Sequence, residues 1–178
     1  MEQKYIILDV FPVNGGLQKM TQKIEITMDG GGVIVIELDS DSAPITVANF
    51  VKLVEQEFYD GLIFHRVIPN FMVQGGDPEG TGMGGSSENI KGEFKMNGVD
   101  NPISHERGVI SMARSQNPNS ASSQFFITNA DALFLDGQYA AFGHVQEGMD
   151  EIDRISSVET NNDDKPHEDV KIEKIRLI

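Results

Sequence analysis

From Lys23 to Met28 the chain alternates polar and apolar residues, Lys23-Ile24-Glu25-Ile26-Thr27-Met28, the period-2 signature of a strand with one buried face. Asp29-Gly30-Gly31-Gly32 turns the chain, and the β-branched run Val33-Ile34-Val35-Ile36-Glu37-Leu38 reads as its antiparallel hairpin partner. The period then changes: Val47, Phe50, Val51 and Val54 fall at i, i+3, i+4 and i+7. That spacing predicts a helix, capped by Asp41 and Ser42 and with Pro44 in its first turn. A second helix is expected over 147–157, where Met149, Ile152 and Ile155 share a face and Asp150 and Glu151 suit the positive end of the helix dipole. The remaining apolar runs, 63–67, 71–75, 108–112, 125–128 and 140–145, are short and separated by Gly, Pro, Asn and Ser, and read as strands. In the last one, Val170, Ile172, Ile175 and Leu177, the alternation slips by one at Glu173-Lys174, which marks a bulge. Many strands with two helices predict a mainly β fold, a closed and mostly antiparallel barrel, because closure removes exposed strand edges.

With 178 residues the chain is long enough for one core that needs no disulfide or metal support. The domain is read as 21–178, with 1–20 an N-terminal extension. Tyr5-Ile6-Ile7-Leu8-Asp9-Val10-Phe11 is too short and too interrupted for a signal peptide, and reads instead as a strand or an expression remnant. No run approaches the roughly 18 apolar residues of a spanning helix, so no membrane association and a cytoplasmic location are expected. The net charge of -14 argues against nucleic acid, because phosphates would be repelled over most of the surface. The absence of cysteine excludes a thiolate nucleophile and sulfur-based zinc sites.

Few familiar catalytic patterns survive inspection. Gly80-Thr81-Gly82-Met83-Gly84-Gly85 contains a formal G-x-G-x-x-G, but no helix follows and no Lys-Ser/Thr pair closes it, so it reads as a loop. His65, His105, His144 and His167 are dispersed, without an i, i+4 pair, and fit structural or surface roles better than a metal site. No G-x-S-x-G elbow surrounds a serine. No metal or other cofactor is expected. What remains is the segment from Phe64 to Asp77, Phe-His-Arg-Val-Ile-Pro-Asn-Phe-Met-Val-Gln-Gly-Gly-Asp, in which composition alone favours a snorkelling Arg66 over core residues Phe71 and Met72.

Taken together with Ser111-Met112-Ala113-Arg114, Ser123-Gln124-Phe125-Phe126-Ile127 and the run from Phe134 to Gly143, that segment closely resembles the cyclophilin family. The resemblance runs in consistent order from about Thr21 to the C-terminus. It implies a cyclophilin-like eight-stranded antiparallel barrel capped by two helices and a peptidyl-prolyl cis-trans isomerase acting on proline-containing polypeptides. Carried over residue by residue, it makes Arg66 catalytic and has Gln74 hold the substrate backbone, with Phe71, Met72, Phe126 and Leu135 forming the proline pocket. His65 would lie beside the site, and Ala113, Arg114 and Ser115 would line the groove for residues before the proline. Gln124, Phe134 and Tyr139 complete the expected substrate-binding set. Phe134 stands where the family usually has tryptophan, Tyr139 where it has histidine, and Arg114 where it has asparagine. These departures, with Gly92-Glu93-Phe94, resemble a bacterial branch. Phe134 lacks the indole N–H, so weak cyclosporin binding is expected with isomerase activity retained. A monomer is expected, since a closed barrel leaves no edge to pair. The competing reading is a proline-loop binding module or chaperone in which isomerisation is incidental.

Overall fold

The computed structural model describes residues 22–178; the expected extension 1–20 and the expected domain start at Thr21 lie outside the described residues. Eight strands alternate with two helices: β1 Gln22–Met28, β2 Val33–Leu38, α1 Pro44–Glu55, β3 Arg66–Ile68, β4 Met72–Gly75, β5 Val109–Met112, β6 Phe125–Thr128, β7 Ala141–Glu147, α2 Met149–Ser156 and β8 Ile172–Leu177. They form one sheet in the order β3, β4, β6, β5, β7, β2, β1, β8, every neighbouring pair antiparallel.

The sequence periods set the inner face. Ile24, Ile26, Ile34 and Ile36 are fully buried, and they meet as direct partners, Ile24 opposite Ile36 and Ile26 opposite Ile34. Phe50 of α1 fills the interior, stacked on Tyr59 at 5.0 Å and edge-on to Phe125 at 5.6 Å between ring centres. The expected face of α1, Val47, Phe50, Val51 and Val54, is the buried one, as are Ile152 and Ile155 of α2. The bulge also falls where the alternation slips: Lys174 pairs with Thr27 and Ile172 with Met28, so Glu173 is the extra residue.

Two expectations are corrected. The sheet is open and curled, and no closed barrel forms, because β3 and β8 do not pair as strands. The seam is spanned by a short bridge in which Ile63 faces Lys171, Phe64 N–H donates to the Val170 carbonyl at 2.9 Å and Ile172 N–H to that of Leu62 at 2.8 Å. Beyond it the chain turns away from a ladder: Pro166 bridges Thr160 and His167 N–H donates to the Glu159 carbonyl, while β3 meets the 161–165 turn through Val67 N–H and the Asp164 carbonyl. The strand expected from Ile63 accordingly begins only at Arg66. The second correction concerns the start of α1. Its N-cap is Ala43, without a side-chain cap bond, while the Asp41 and Ser42 amides turn back to Asp39 Oδ1, each at 3.0 Å. The helix amides of Ile45 and Thr46 donate instead to the carboxylate of Glu93 at 3.0 and 2.8 Å, and Thr46 Oγ1 donates to the same group at 2.7 Å. Glu93 is only 2% exposed; its charge sits at the positive end of the helix dipole and takes up amides that the missing local cap leaves open.

Candidate active site

Strand geometry sends alternate side chains to opposite faces, and in β3, β4 and β6 this splits the chain's central motif in two. Val67, Val73, Phe125 and Ile127 point into the core, while Met72 and Phe126 belong to a separate outer cluster with Ala132 and Leu135, packed against Ile68, Phe71, Ala113 and Tyr139. Register then aligns the outer residues: Arg66 faces Gln74, Gln74 faces Phe126, and Phe126 faces Ser111. Four strands thus place a guanidinium, an amide, a phenyl ring and a hydroxyl in one row.

Over this row lies a pocket of about 140 Å³ lined by Arg66, Phe71, Met72, Gln74, Ala113, Arg114, Phe126, Leu135 and Tyr139. All nine were expected from the sequence. Four others take different places. Phe134 is 66% exposed and packs on Phe71 at the rim, 5.4 Å between ring centres. Ser115 is exposed and bonds Ser120. Gln124 sits behind Gln74, accepting from its Nε2 at 2.9 Å and donating to the carbonyls of Gly82 and Gly84 at 3.1 and 2.7 Å. His65 lines a neighbouring cavity of about 390 Å³, which shares Arg66 and Gln74 with the pocket and is walled by Gly80, Thr81, Gly82, Asn161, Asp163 and Lys165. A further opening of about 400 Å³, lined by Asp29, Arg154, Glu159 and His167 among others, shares no residue with either and has no Phe or Tyr in its lining.

Two loops support the row. Buried Asp77 accepts from the amides of Glu79, Thr81, Gly82 and Gly84, fixing the loop whose carbonyls orient Gln124. Burial raises its pKa, but these amides outweigh burial and hold it below the ordinary carboxylate value. On the other side, Asp164 Oδ2 lies 3.5 Å from Arg66 Nε, and the Asp164 carbonyl accepts from Val67 N–H at 2.8 Å. Asp164 has φ of 61°, a left-handed conformation that aspartate tolerates better than most residues. The acidic run Asn161-Asn162-Asp163-Asp164 carries no sequence signal of this positive φ or of the bond to β3 beyond its residue types.

Beneath the pocket lies a second arrangement missed in the sequence. His105 is fully buried, with Nδ1 2.8 Å from Asp136 Oδ1 and Nε2 3.0 Å from Ser111 Oγ, and its ring is stacked with Phe126 at 6.1 Å. The spacing is that of a hydrolytic triad, but Ser111 is itself fully buried, so no substrate reaches its hydroxyl. The array braces the pocket floor, tying Phe126's neighbour Ser111 to Asp136 next to Leu135. Desolvation depresses the His105 pKa below its ordinary value, with Asp136 opposing it, and desolvation likewise depresses His65. Both rings are neutral near pH 7.

The curled antiparallel sheet carries a small pocket in which the apolar side chains of Phe71, Met72, Phe126 and Leu135 meet the polar groups of Arg66, Gln74 and Arg114. Comparison with known proteins identifies the family. Residues 23–177 match the family described as cyclophilin type peptidyl-prolyl cis-trans isomerase/CLD. The chain belongs to this family of isomerases. It is 47% identical over 156 residues to peptidyl-prolyl cis-trans isomerase-like 1 of Gibberella zeae, covering 87% of this chain and 93% of that one. It is also 40% identical to peptidyl-prolyl cis-trans isomerase CYP18-2 of Arabidopsis thaliana, covering 86% and 93%. Among solved structures it resembles a Cryptosporidium parvum cyclophilin type isomerase crystallised in the presence of the dipeptide Ala-Pro, with TM-score 0.81, 31% identity and coverage of 88% of this chain and 99% of that one. These relatives are eukaryotic and lend no support to the bacterial branch expected from Arg114, Phe134 and Tyr139.

Proposed function

We propose that this isomerase twists Xaa-Pro bonds with Arg66 as its catalytic residue and the pocket of Phe71, Met72, Phe126 and Leu135 as the seat of the proline ring. The observation that carries this reading is the cross-strand row that sets Arg66 beside Gln74 and Gln74 beside Phe126, all three lining the pocket. An Xaa-Pro bond turns slowly because amide resonance imposes a barrier of roughly 18–20 kcal/mol. At the twisted transition state the prolyl nitrogen pyramidalises and gains a lone pair, so a donor aimed at that nitrogen stabilises the transition state above either ground state. A guanidinium suits this task because it remains protonated and presents its N–H groups in a rigid fork.

The neighbours of Arg66 fit that role. Asp164 engages Nε, which leaves the Nη fork for substrate. Gln74 spends its Nε2 on Gln124, which leaves its carbonyl end to accept a substrate backbone N–H. The apolar walls grip the ring and lower the local dielectric around the donor. Lowering the barrier by about 7 kcal/mol corresponds to roughly a 10⁵-fold acceleration. No titrating acid or base enters the step. Weak cyclosporin binding belongs to the same proposal, since Phe134 offers a ring at the rim but no donor. Action as a cytoplasmic monomer on proline-containing polypeptides completes it. Exchange spectroscopy on an Xaa-Pro peptide is the test: wild type accelerates exchange and Arg66→Ala does not, although the peptide still binds. Equal acceleration by both proteins removes Arg66 from the mechanism.

A further inference from the structure

Arg114 lines the pocket, yet its guanidinium is spent inside the protein. Nε and Nη2 both donate to the Gln138 carbonyl, at 3.1 and 2.8 Å, and Nη1 donates to the carbonyls of Ser115 and Gln116 at 2.9 and 3.3 Å. Its central carbon lies 4.7 Å from the centre of the Tyr139 ring and 5.0 Å from that of buried Phe94. One planar cation is therefore held between two aromatic rings while its edges tie two turns together. Tyr139 in turn meets Phe126 edge-on at 5.9 Å, and the Gln138 side chain donates to the Phe134 carbonyl at 2.8 Å, fixing the turn that carries Leu135.

From this geometry we infer that Arg114 is a positioning residue that sets the width of the proline pocket, acting through Tyr139 and the 134–139 turn rather than by touching substrate. The inference rests on the assignment of this pocket to proline. The wall made by Leu135 and Tyr139 consists of a turn and one half-buried ring, which strand pairing does not hold. The stack and the four carbonyl bonds supply the rigidity. Lysine retains the charge but has neither the plane to stack nor the fork to bridge Gln138 and Ser115, so charge alone does not restore the wall.

The test separates binding from turnover. Exchange spectroscopy on an Xaa-Pro peptide is expected to show KM raised about fivefold in Arg114→Lys and about tenfold in Arg114→Ala, the range a lost cation–π stack spans, with kcat within about twofold in both. The chain has three tyrosines, Tyr5, Tyr59 and Tyr139, so the ring resonances of Tyr139 are assignable by NMR; they are expected to shift and broaden in Arg114→Lys without peptide. Unchanged KM in Arg114→Lys, or a fall in kcat at constant KM, overturns the inference. So do Tyr139 resonances identical to wild type. If Arg114→Ala does not fold, Arg114→Lys alone decides. If wild type itself fails to accelerate exchange, the isomerase reading of the site falls, and the clamp is then judged on the peptide Kd from the same titration, which must still weaken in Arg114→Lys.

Discussion

Phe125 and Phe126 are adjacent in sequence, both buried, on one short strand, and they belong to different parts of the molecule. Phe125 joins Phe50, Tyr59 and Phe64 in the interior; Phe126 joins the outer cluster and stacks with His105. The inner cluster is apolar apart from the Tyr59 hydroxyl, which donates to the Ser123 carbonyl, and both helices pack into it. The outer face is half finished: its apolar cluster is left open as a groove, and its polar row is braced by Asp77, Asp164 and the Asp136–His105–Ser111 array. The contrast shows how a curled sheet keeps packing and chemistry one residue apart, since side chains on opposite faces answer to different surroundings.

The contrast is broken most severely from inside. Phe125→Ala opens a closed cavity and is expected to cost about 3–5 kcal/mol of stability, measured by denaturant unfolding. Across the sheet, Arg66→Ala is expected to lower kcat by about 10²–10³-fold, the cost of removing one transition-state donor, while its unfolding midpoint stays at the wild-type value. Phe126→Ala falls between these two. Water can enter the open groove, so only the transfer cost of about 1.5–3 kcal/mol applies, and the loss of the pocket wall should raise KM by at least about tenfold.

A pH titration sharpens the comparison further. His105 and His65 are held below the ordinary value of 6.5, so between the folded and unfolded values the unfolded chain binds more protons. Their contribution to stability is complete above pH 6.5 and is lost as pH falls through the folded values. Thermal unfolding at pH 7.5 and 5.5 should show this fall, and His105→Gln should show a shallower one. The smallest expected effect is at the loop. Asp164→Asn should lower kcat about two- to fivefold, as befits a half-exposed ion pair, with no change in stability; an unchanged kcat would show that Arg66 needs no anchor.

Much of the fold was legible because burial imposes a period. The β1–β2 hairpin, the buried faces of both helices and the slip at Glu173 all follow from which residues must leave water. The pocket residues were legible through resemblance; nothing local in Phe64 to Asp77 says that Gln74 will face Phe126. That depends on pairing between strands distant in sequence, and the meeting of His105 and Asp136 depends on two loops 31 residues apart. The α1 cap failed for a related reason: Asp41 and Ser42 have suitable side chains, but Asp39 holds their amides and a distant carboxylate supplies the acceptor. Closure of the barrel was inferred from the general liability of open edges, whereas the chain at 159–167 pairs with itself and the seam is limited to a bridge.

The carboxylate of Glu93 carries a consequence for the order of assembly. A helix with its own cap can begin to form alone, but the first amides of α1 find their acceptor only after a segment almost 50 residues further along has docked. Helix α1 is thereby bound to the late, long-range stage of folding, because loop closure precedes the bond. In the native state its first turn should not fray: the amide hydrogens of Ile45 and Thr46 should exchange with solvent only as fast as the interior opens.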